Sequence, residues 1–462
     1  MKKPRLLLAG AHSGAGKTSV AAGVMAALVR QGVTVQPYKV GPDYIDPAFH
    51  TFITGRKSRN LDSWLLDHAT VRALFTHSAP DSGLSIIEGV MGLFDGHIRE
   101  PAGSSAHLAS ILSAPVVLVI NGAGLSRSAA ALVRGFDLFD PNLRLAGVIV
   151  NQTSSQAHYE LLKNFVENEA GVPCFGHLLK NPSLALESRH LGLVPAVETA
   201  DLSVKLAALA EAAQATLDLD RLIELAEAAP ELEYPPFPGP NPSPLNPPVR
   251  LGLAQDAAFN FYYQDALDLL VRLGAELAPF SPLSDAALPP DLDGLYLGGG
   301  FPEVFAADLA ANHKLRAELR QALEGGLPAY AECGGLMYLA RTLVDQEGRG
   351  HEMTGFFPVT TVMGPSLNNF GYATACFETD TVLGPAGTRV RVHEFHHSRI
   401  FEENPEDYVL KVEKSPSQAW RGGLARKNVL AVYVHLHFAA NPSLAENFLE
   451  RCRTHRKEKE CI

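Results

Sequence analysis

The stretch Leu6–Val20, LLLAGAHSGAGKTSV, decides the fold of the first part of this 462-residue chain. In it, an apolar strand-like run is followed by a glycine-rich turn and then by residues with helical spacing. The turn is close to the phosphate-binding pattern G-x-x-x-x-G-K-[ST], but Ala11 stands where that pattern has its first glycine, and Gly10 comes one residue early. We interpret the stretch as a variant phosphate-binding loop between a strand and a helix.

The residues of this loop have predicted roles in nucleotide binding. Gly14 and Gly16 let the backbone turn its N–H groups inward and let phosphates come close, and Ser13 belongs to the same nucleotide-binding set. Lys17 adds a cation, and Thr18 offers a hydroxyl to Mg²⁺ at the helix N-terminus. A glycine-rich turn from strand to helix, without a ligand, is the simpler alternative.

Four carboxylates follow two further predicted strands. KVGPDYIDPAFH carries Asp43 and Asp46, and IIEGVMGLFDG carries Glu88 and Asp95. Because ligands of open parallel sheets bind at the carboxyl ends of the strands, we expect these groups near the phosphates. Mg²⁺ is usually bound through one or two carboxylates besides phosphate oxygens, so four suggest a second substrate at the same site. Ordinary loop capping is the alternative for each carboxylate.

Two sets of candidate residues follow from these strand ends. The magnesium candidates are oxygen donors: Thr18, Asp43 and Glu88. The candidates for contact with a substrate carboxylate and the phosphates follow the same two strands: Tyr44, Ile45, Asp46 and Asp95. Asn151 ends another predicted strand, GVIVNQ, where it either binds a base edge of the nucleotide or caps the chain locally.

Composition and charge limit the classes of function. Hydrophobic residues make up 46% of the chain and charged residues 19%, as in ordinary soluble globular proteins. The formal net charge of −11 argues against a nucleic-acid partner. No apolar run reaches the roughly 20 residues that cross a bilayer, so no membrane partner is expected. MKKPRLLLAG is interpreted as a first strand, not as a signal peptide.

The cysteines favour a reducing, cytoplasmic setting. They are odd in number and widely spaced, which predicts neither a disulfide framework nor zinc spacing of the C-x-x-C kind. The five are Cys174, Cys333, Cys376, Cys452 and Cys461. The basic segment RCRTHRKEKE near the end of the chain is interpreted as a solvated tail.

A proline-rich stretch, EYPPFPGPNPSPLNPP at 233–248, predicts a semi-rigid linker. Before it, short apolar strands alternate with helical segments, which indicates a parallel sheet with helices on both faces. After it the pattern restarts with VRLGLAQD, AELAPF, LDGLYLGGG and LPAYAEC. The predicted fold is α/β with two domains, 1–232 and 249–445, each a mainly parallel sheet covered by helices, with a C-terminal helix or tail over 446–462.

The second half contains a candidate nucleophile. LPAYAECGGLMYL has the order strand, sharp turn, helix, with Cys333 at the apex, which is a form of nucleophile elbow. We expect the helix N-terminus to favour the thiolate. The turn LYLGGGFPE is expected to present an N–H of Gly299 or Gly300 to a developing oxyanion, with Gly334 in the same set. A buried structural cysteine is the alternative.

A thiol nucleophile needs a base, and LAVYVHLHFAANP offers His435 and His437. We expect both on one strand, where alternation puts them on the same face. A further segment, VHEFHHSR, is rich in titratable side chains: His393, Glu394, His396 and His397. Its spacing assigns it no chemistry, and a metal site is the weaker alternative.

These motifs resemble those of a known family. GAHSGAGKT, GPDYIDP and IEGVMGLFDG are similar to the synthetase domain of the cobyrinate a,c-diamide synthases, itself related to dethiobiotin synthetase. Partition-type ATPases share the loop form but have a lysine where this chain has His12. Residues from 249 to about 445 are similar to a class I glutamine amidotransferase domain of the type in cobyrinate diamide synthases and cobyric acid synthase. The resemblance thus covers both halves of the chain.

The resemblance implies a P-loop NTPase-like domain and a class I glutamine amidotransferase-like domain. Together they form a glutamine-dependent ligase of cobalamin biosynthesis that uses ATP and Mg²⁺. Its implied substrates are cobyrinate, a corrinoid amidated on its c and then its a side chain, and glutamine or ammonia. A homodimer is compatible with this assignment.

The same resemblance implies roles for two residues of the second half. Cys333 is the nucleophile and His435 the residue that activates it. Most class I amidotransferases have a glutamate two residues beyond this histidine. Here that position is His437, so the group that orients His435 is left open.

Three alternatives remain at this point. Ni-sirohydrochlorin a,c-diamide synthases resemble the chain throughout, whereas cobyric acid synthase is less similar in GPDYIDPAFH and FHHSR. An alternative of another class is a nucleotide-switch ATPase whose second domain only binds a partner. Cys333 and His435 argue against that class, and a glutaminase assay separates the two.

Overall fold

The chain forms two compact units, Met1–Phe237 and Pro238–Ile462. The computed structural model describes most of each unit: residues 2–98, 100–143, 145–184, 186, 198–239, 247–401 and 408–460. Part of the predicted linker, residues 240–246, and the fifth cysteine, Cys461, lie outside the described residues.

The first unit is built on a seven-stranded sheet whose neighbouring strands are all parallel. Its strands are β1 (Arg5–Gly10), β2 (Val35–Val40), β3 (Arg59–Leu61), β4 (Leu84–Gly92), β5 (Val116–Asn121), β6 (Leu145–Thr153) and β7 (Cys174–Leu179). Across the sheet they have the order β3-β2-β4-β1-β5-β6-β7. Every residue of β1 and β2 is buried, as in a parallel sheet covered on both faces.

Eight helices belong to this unit within the described residues. They are α1 (Lys17–Arg30), α2 (Ile45–Thr54), α3 (His68–Ser78), α4 (Ser105–Ile111), α5 (Ser128–Phe139), α6 (Gln156–Phe165), α7 (Glu198–Thr216) and α8 (Leu219–Glu227). A π-helical turn, Val166–Ala170, extends α6. Leu6 and Leu8 of β1 pack with Val24 and Leu28 of α1 in the core. Their burial fixes α1 against the sheet directly after the glycine-rich loop.

The six apolar runs that predict strands in the first half, RLLLAG, VTVQPYKV, LSIIEGV, VVLVIN, LAGVIVN and VPCFGHL, all form strands. The additional strand β3 has only three residues, RNL, and no apolar run, so the pattern did not predict it. It pairs with β2 at the edge of the sheet. An edge strand forms backbone hydrogen bonds with only one neighbouring strand, so a short polar segment can form a strand at this position.

The second unit has a twelve-stranded mixed sheet and a small two-stranded one. The strands are β8 (Val249–Ala254), β9 (Phe259–Phe261), β10 (Ala275–Phe280), β11 (Gly294–Leu297), β12 (Gly299–Gly300), β13 (Ala329–Glu332), β14 (Thr342–Val344), β15 (Gly350–Glu352), β16 (Thr360–Phe377), β17 (Arg389–Phe401), β18 (Tyr408–Ser415), β19 (Gln418–Arg426), β20 (Val429–Val432) and β21 (His435–Leu436). Its core, β10-β8-β11-β13-β20, is parallel. The α/β prediction for both halves is thereby confirmed.

Long antiparallel strands extend this parallel core. β19 pairs with β20, β18 with β19, β16 with β18, and β17 with β16, all antiparallel. Many side chains of β16 are half-buried or exposed, so it lacks the continuous apolar run of a buried parallel strand. The α/β class is as predicted, but the mainly parallel sheet expected for the second half is a mixed sheet, and for this reason its antiparallel part was not apparent in the sequence.

Five α-helices of the second unit fall within its described residues: α9 (Gln264–Arg272), α10 (Ala306–Ala311), α11 (His313–Glu324), α12 (Gly334–Leu339) and α13 (Pro442–Glu460). The prediction of a solvated tail at RCRTHRKEKE is wrong, because α13 runs through it. Cys452 and His455 are buried, and Arg456 pairs with Asp293, with 2.7 Å between Nε and Oδ1. The charges of this segment lie on one side of a helix whose other side packs on the unit. Within the described ranges, no helix has both the length and the apolarity to cross a membrane.

A pair of glycine substitutions tests the packing of the first unit. A Cβ added at Gly147 of β6 would lie 1.9 Å from Cε2 of the buried Phe175 ring, whereas one at Gly135 of α5 meets nothing within 4 Å. We expect Gly147→Ala to lower the free energy of unfolding by about 1–3 kcal/mol through overpacking. Gly135→Ala should leave stability unchanged or raise it by up to about 1 kcal/mol. Thermal unfolding of both variants is the measurement, and equal midpoints would contradict the packing described.

Candidate active sites in the two units

The glycine-rich loop is held against the end of β6. Gly16 precedes α1 with φ 86°, in the left-handed region that favours glycine. A Cβ there would lie 1.9 Å from Nδ2 of Asn151, which donates a hydrogen bond to the carbonyl oxygen of Ala15 over 3.1 Å. The side chain of Asn151 therefore stabilises the glycine-rich loop through this hydrogen bond. Ser13 is also in the loop, and its carbonyl oxygen lies 2.7 Å from Nδ1 of His12.

Lys17 and Thr18 begin α1 and face the acidic strand ends. Thr18 donates from its hydroxyl to Oε1 of Glu88 over 2.7 Å. The pKa of Lys17 is lowered by burial and by the neighbouring charge of Lys39, and the carboxylates nearby only partly offset this. Two cations thus lie near each other at this edge of the sheet.

Lys39, at the end of β2, is the centre of a buried charge cluster. It is 1% exposed. Its Nζ lies 2.5 Å from Oδ2 of Asp46, 3.0 Å from Oε1 of Glu88 and 3.7 Å from Oδ2 of Asp43. Burial alone would lower the pKa of Lys39, but these three carboxylates outweigh it and raise the pKa. Lys39 therefore stays charged.

Glu88 is fully buried and uses both carboxylate oxygens. Oε1 accepts from Thr18 and Lys39, and Oε2 lies 2.7 Å from Nε2 of His50. Burial would raise the pKa of Glu88, but Lys39 and His50 lower it well below the usual range. The pKa of Asp46 is instead raised, by burial and by Glu88, against the effect of Lys39. A single lysine charge cannot stabilise the charged forms of three carboxylates equally.

The structure brings together Thr18, Asp43, Asp46 and Glu88, all around Lys39. Asp43 has a second, structural role, since Oδ1 accepts from the backbone N–H groups of Ile45 and Asp46 at the start of α2. Tyr44 lies directly before that helix.

Asp95 is placed differently: Oδ2 accepts from the N–H of Gly92 over 3.0 Å and closes the turn after β4.

Sequence reasoning missed two members of this site, Lys39 and His50. A lysine at the second-last position of a predicted strand, two residues before GPDYIDP, was a usable signal for the first. His50 lies inside α2, and no local pattern distinguishes it from a core histidine.

In the second unit, Cys333 lies between β13 and α12 at a sharp turn. Its φ of 45° and ψ of −97° are strained for a residue other than glycine. Its N–H donates to the carbonyl oxygen of Val432 over 2.7 Å. A Cβ on Gly335 would lie 2.3 Å from the carbonyl oxygen of Leu297, so the residue after the turn has to stay small. This is the geometry of a nucleophile elbow.

The electrostatics around Cys333 contradict the expectation of a thiolate. Burial raises the pKa of the Cys333 thiol, and the carboxylates of Glu303, Glu394 and Glu332 raise it further. The N–H of Gly334 acts in the opposite direction but is outweighed. In this state the sulfur is a thiol, because burial and three neighbouring acids count for more than the end of a short helix.

Glu332, the residue before Cys333, contacts His435. Its Oε2 lies 3.2 Å from Nδ1 of His435, and both side chains are 2% exposed. Oε1 accepts from the hydroxyl of Tyr330 over 2.5 Å and from the N–H of Leu436 over 3.4 Å. A carboxylate at Nδ1 holds an imidazole in one orientation. Glu332 was not among the candidates from sequence.

His437 is not placed as predicted. The strand β20 ends at Val432, and His435 begins a separate short strand that pairs with β17, so the two histidines do not share one face of one strand. His437 stacks on Tyr263 with ring centroids 4.7 Å apart and accepts from the N–H of Ala439. Burial lowers its pKa to about 3. His437 is thus a neutral core residue.

The predicted oxyanion glycines lie beside the elbow and His435. A Cβ on Gly299 would be 2.9 Å from Cε1 of His435, and one on Gly334 would be 3.1 Å from the backbone nitrogen of Gly300. The turn after β11, the elbow and the histidine therefore surround one small space.

VHEFHHSR lies on β17, with His393, Glu394 and His396 buried. In the described part of the chain, no group of three or more His, Cys, Asp or Glu side chains is arranged to hold a metal ion. The weaker alternative of a metal site at this segment is therefore not found there.

Two family profiles match the chain, one in each unit. Residues 6–194 match the CobQ/CobB/MinD/ParA nucleotide binding domain. Residues 250–443 match the CobB/CobQ-like glutamine amidotransferase domain. Both halves of the chain thus have recognised relatives.

Curated proteins are similar along nearly the whole chain. The cobyrinate a,c-diamide synthase of Streptococcus sanguinis (strain SK36) is 46% identical, over 96% of this chain and 98% of that protein. A protein of the same name in Listeria monocytogenes (serotype 4b, strain F2365) is 44% identical, over 95% of this chain and 97% of that protein. Another in Dehalococcoides mccartyi (strain CBDB1) is 42% identical, over 97% of this chain and 98% of that protein.

The protonation state of Cys333 can be tested by alkylation. Because its pKa is raised, we expect iodoacetamide labelling of Cys333 in the ligand-free protein to increase about tenfold per pH unit through the neutral range without a plateau. Burial raises the pKa of Glu303 to about 7, so Glu303→Gln removes one of the charges that raise the pKa of Cys333 only above that pH, where labelling should increase. Mass spectrometry of the Cys333 peptide follows the reaction, with the half-buried Cys376 as an internal reference. A plateau near neutral pH would mean that the thiolate is stabilised.

Proposed function

The chain belongs to the cobyrinate a,c-diamide synthase family, and we propose that it catalyses the ATP-dependent amidation of the a- and c-carboxylates of cobyrinate with glutamine as nitrogen donor. The family resemblance of the sequence is thereby confirmed. The observation that supports the proposal is that each unit groups the side chains that one of the two reactions needs. A glycine-rich loop next to the half-buried Lys17 and the buried Lys39 lies in the first unit, and Cys333 lies beside the contact between His435 and Glu332 in the second.

In the second unit we assign the release of ammonia to Cys333. Its sulfur attacks the carboxamide carbon of glutamine while its proton passes to Nε2 of His435. The carbonyl oxygen takes up negative charge near the N–H groups of Gly299, Gly300 and Gly334. His435 then gives the proton to the departing nitrogen, which leaves as ammonia, and water hydrolyses the glutamyl thioester to glutamate. Glu332 holds the proton on Nδ1, so Nε2 is free to act.

In the first unit we assign the activation of the carboxylate. The γ-phosphoryl group of ATP passes to a carboxylate oxygen of cobyrinate to give an acyl phosphate, from which ammonia displaces phosphate. Both substrates are anionic, so the cations Lys17 and Lys39 are needed to bring them together. The buried Lys39, held by Asp46 and Glu88, has a fixed position for this purpose.

The residues at the end of the loop fit Mg²⁺. The hydroxyl of Thr18 and Oε1 of Glu88 are 2.7 Å apart, and Oδ2 of Asp43 lies 3.7 Å from Nζ of Lys39. These are hard oxygen donors, and the ion usually completes its shell with phosphate oxygens and water. Bound there, Mg²⁺ would neutralise phosphate charge. Its ligands in this chain would be Thr18 and Glu88, with Asp43 at longer range.

The identity of the tetrapyrrole rests on the three relatives described above, each of which is named for cobyrinate. Measuring which compound drives ATP-dependent glutamine consumption tests it directly. Cobyrinate is expected to support turnover, and turnover with Ni-sirohydrochlorin alone would assign the chain to the nickel branch. We also propose a cytoplasmic location, supported by the unpaired state of the four described cysteines. Gel filtration would test a homodimer.

Two substitutions separate the two sites. Cys333→Ser should abolish glutamine-dependent synthesis and leave ammonia-dependent synthesis near the wild-type rate, because the first unit does not use this thiol. Lys17→Ala should lower synthesis with either nitrogen donor by at least about a hundredfold, since both need the phosphate clamp. Diamide formation by mass spectrometry, with glutamine and with ammonium, is the measurement.

The two variants are controls for each other. Lys17→Ala should retain basal hydrolysis of glutamine, and Cys333→Ser should retain ammonia-dependent ATP hydrolysis. Loss of every activity in Cys333→Ser, in a protein that still unfolds at the wild-type temperature, would contradict the separation of the two reactions.

Glu332→Gln tests the positioning of His435. The amide can still accept from Nδ1 but no longer stabilises the imidazolium. We expect kcat for glutamine hydrolysis to fall about a hundredfold with little change in KM. Glu332→Asp should restore part of the rate, because a carboxylate is again present beside Nδ1. An unchanged kcat in Glu332→Gln, or no recovery in Glu332→Asp, would contradict a positioning role for Glu332.

A further inference from the structure

The segment VHEFHHSR on β17 has no part in the mechanism above, yet it contacts two elements next to Cys333. His393 pairs in register with His435 of β21. The hydroxyl of Ser398 donates to Sδ of Met337 over 3.4 Å, and Met337 belongs to α12, the helix that follows Cys333. The acidic residue of this segment, Glu394, follows His393 directly on the same strand.

Glu394 is held firmly, but one of its oxygens is unused. The side chain is 2% exposed, and Oε1 lies 2.7 Å from Nε2 of His396. Nδ1 of His396 lies 2.6 Å from the carbonyl oxygen of Ser398, and its ring stacks on Tyr433 with centroids 3.9 Å apart. Among the residues that the structure describes, Oε2 of Glu394 has no hydrogen-bond partner. A buried carboxylate oxygen without a donor is costly, which points to a ligand that supplies one.

The side chain of Glu394 is close enough to Cys333 for its charge to act on the thiol. After burial, which is the largest cause, the charge of Glu394 is among those that raise the pKa of both Cys333 and Tyr433. Glu303 and Glu332 also act on Cys333, so the thiol has acidic neighbours on several sides. A cationic group is the ligand that such surroundings favour.

Glutamine carries a single cationic group, its α-ammonium. Its α-carboxylate would be repelled by Glu394. Its carboxamide oxygen becomes negative during attack and belongs at the N–H groups of the glycine turn, away from a carboxylate. On the basis of the proposed glutaminase function, we propose that Oε2 of Glu394 binds the α-ammonium group of the glutamine substrate, while His396 holds the carboxylate in place.

This contact would also link substrate binding to activation of the nucleophile. A bound ammonium neutralises one of the charges that disfavour the thiolate of Cys333. The sulfur therefore loses its proton more easily when glutamine is present than in the free protein. The carboxylate of Glu394 would thus have two roles: it binds glutamine, and without glutamine it disfavours the reactive thiolate of Cys333.

Glu394→Gln tests the contact, because the amide oxygen can still accept from His396 while the charge is removed. We expect KM for glutamine in the hydrolysis reaction to rise about 10- to 100-fold, the effect of losing one charge-assisted hydrogen bond, with a smaller change in kcat. Ammonia-dependent synthesis should match the wild type. Glu352→Gln, at a side chain 84% exposed, removes the same charge from the surface and should change neither constant.

The group on glutamine is identified with glutaramate, which lacks only the α-amino group. Wild-type protein should hydrolyse glutaramate with kcat/KM about 10- to 100-fold below that for glutamine, and Glu394→Gln should treat the two compounds nearly alike. The wild-type comparison does not depend on the folding of any variant. Equal rates with both compounds in wild-type protein would overturn the proposal.

Two further outcomes would also overturn it. If Glu394→Gln weakens both substrates equally, its carboxylate does not contact the ammonium. If Glu303→Gln abolishes the preference for glutamine and Glu394→Gln does not, Glu303 is the ammonium ligand. Absence of any glutamine hydrolysis by wild-type protein would instead refute the proposed function, so the two failures are distinguishable.

Discussion

Parallel strands bring their carboxyl ends to one edge of a sheet, and the chemistry of both units depends on that constraint. In the first unit the glycine-rich loop follows β1, Lys39 is the second-last residue of β2, and Glu88, in the middle of β4, pairs with Lys39 in register. In the second, the glycine turn follows β11 and Cys333 follows β13, beside β20. Residues far apart in the chain become neighbours because the strands that carry them are adjacent and point the same way.

Buried charge is the second constraint. Glu88 is fully buried and Lys39 nearly so, and each would be costly alone. They are stable because Thr18, His50 and Asp46 complete their contacts. Removing a single partner from such a cluster typically costs about 3–5 kcal/mol. The cluster is therefore rigid before any ligand binds, which is what a site for two anionic substrates requires.

Cys333, the proposed nucleophile, has carboxylate neighbours with the opposite effect. Around Lys39, carboxylates stabilise a cation, whereas around Cys333 they destabilise an anion. A thiol kept protonated reacts slowly with oxidants and with unintended electrophiles. The strained backbone at Cys333 presents the sulfur, and the surrounding acids delay its ionisation. Geometry and reactivity are thus controlled by different residues.

The sequence alone was sufficient for features that depend on local pattern. The loop Leu6–Val20, the strand–turn–helix at Cys333 and the α/β class of both halves follow from spacing and apolar runs, because hydrogen bonding and burial along one segment decide them. Only the tertiary structure decided which group orients His435, which cation joins Glu88, and that His437 is a core residue. Glu332 and His435 are 103 residues apart and Lys39 and Glu88 are 49 apart. Such contacts depend on the order of strands across a sheet, and the protonation of Cys333 depends on its burial. Strand order and burial both involve distant parts of the chain, so no single segment of the sequence determines them.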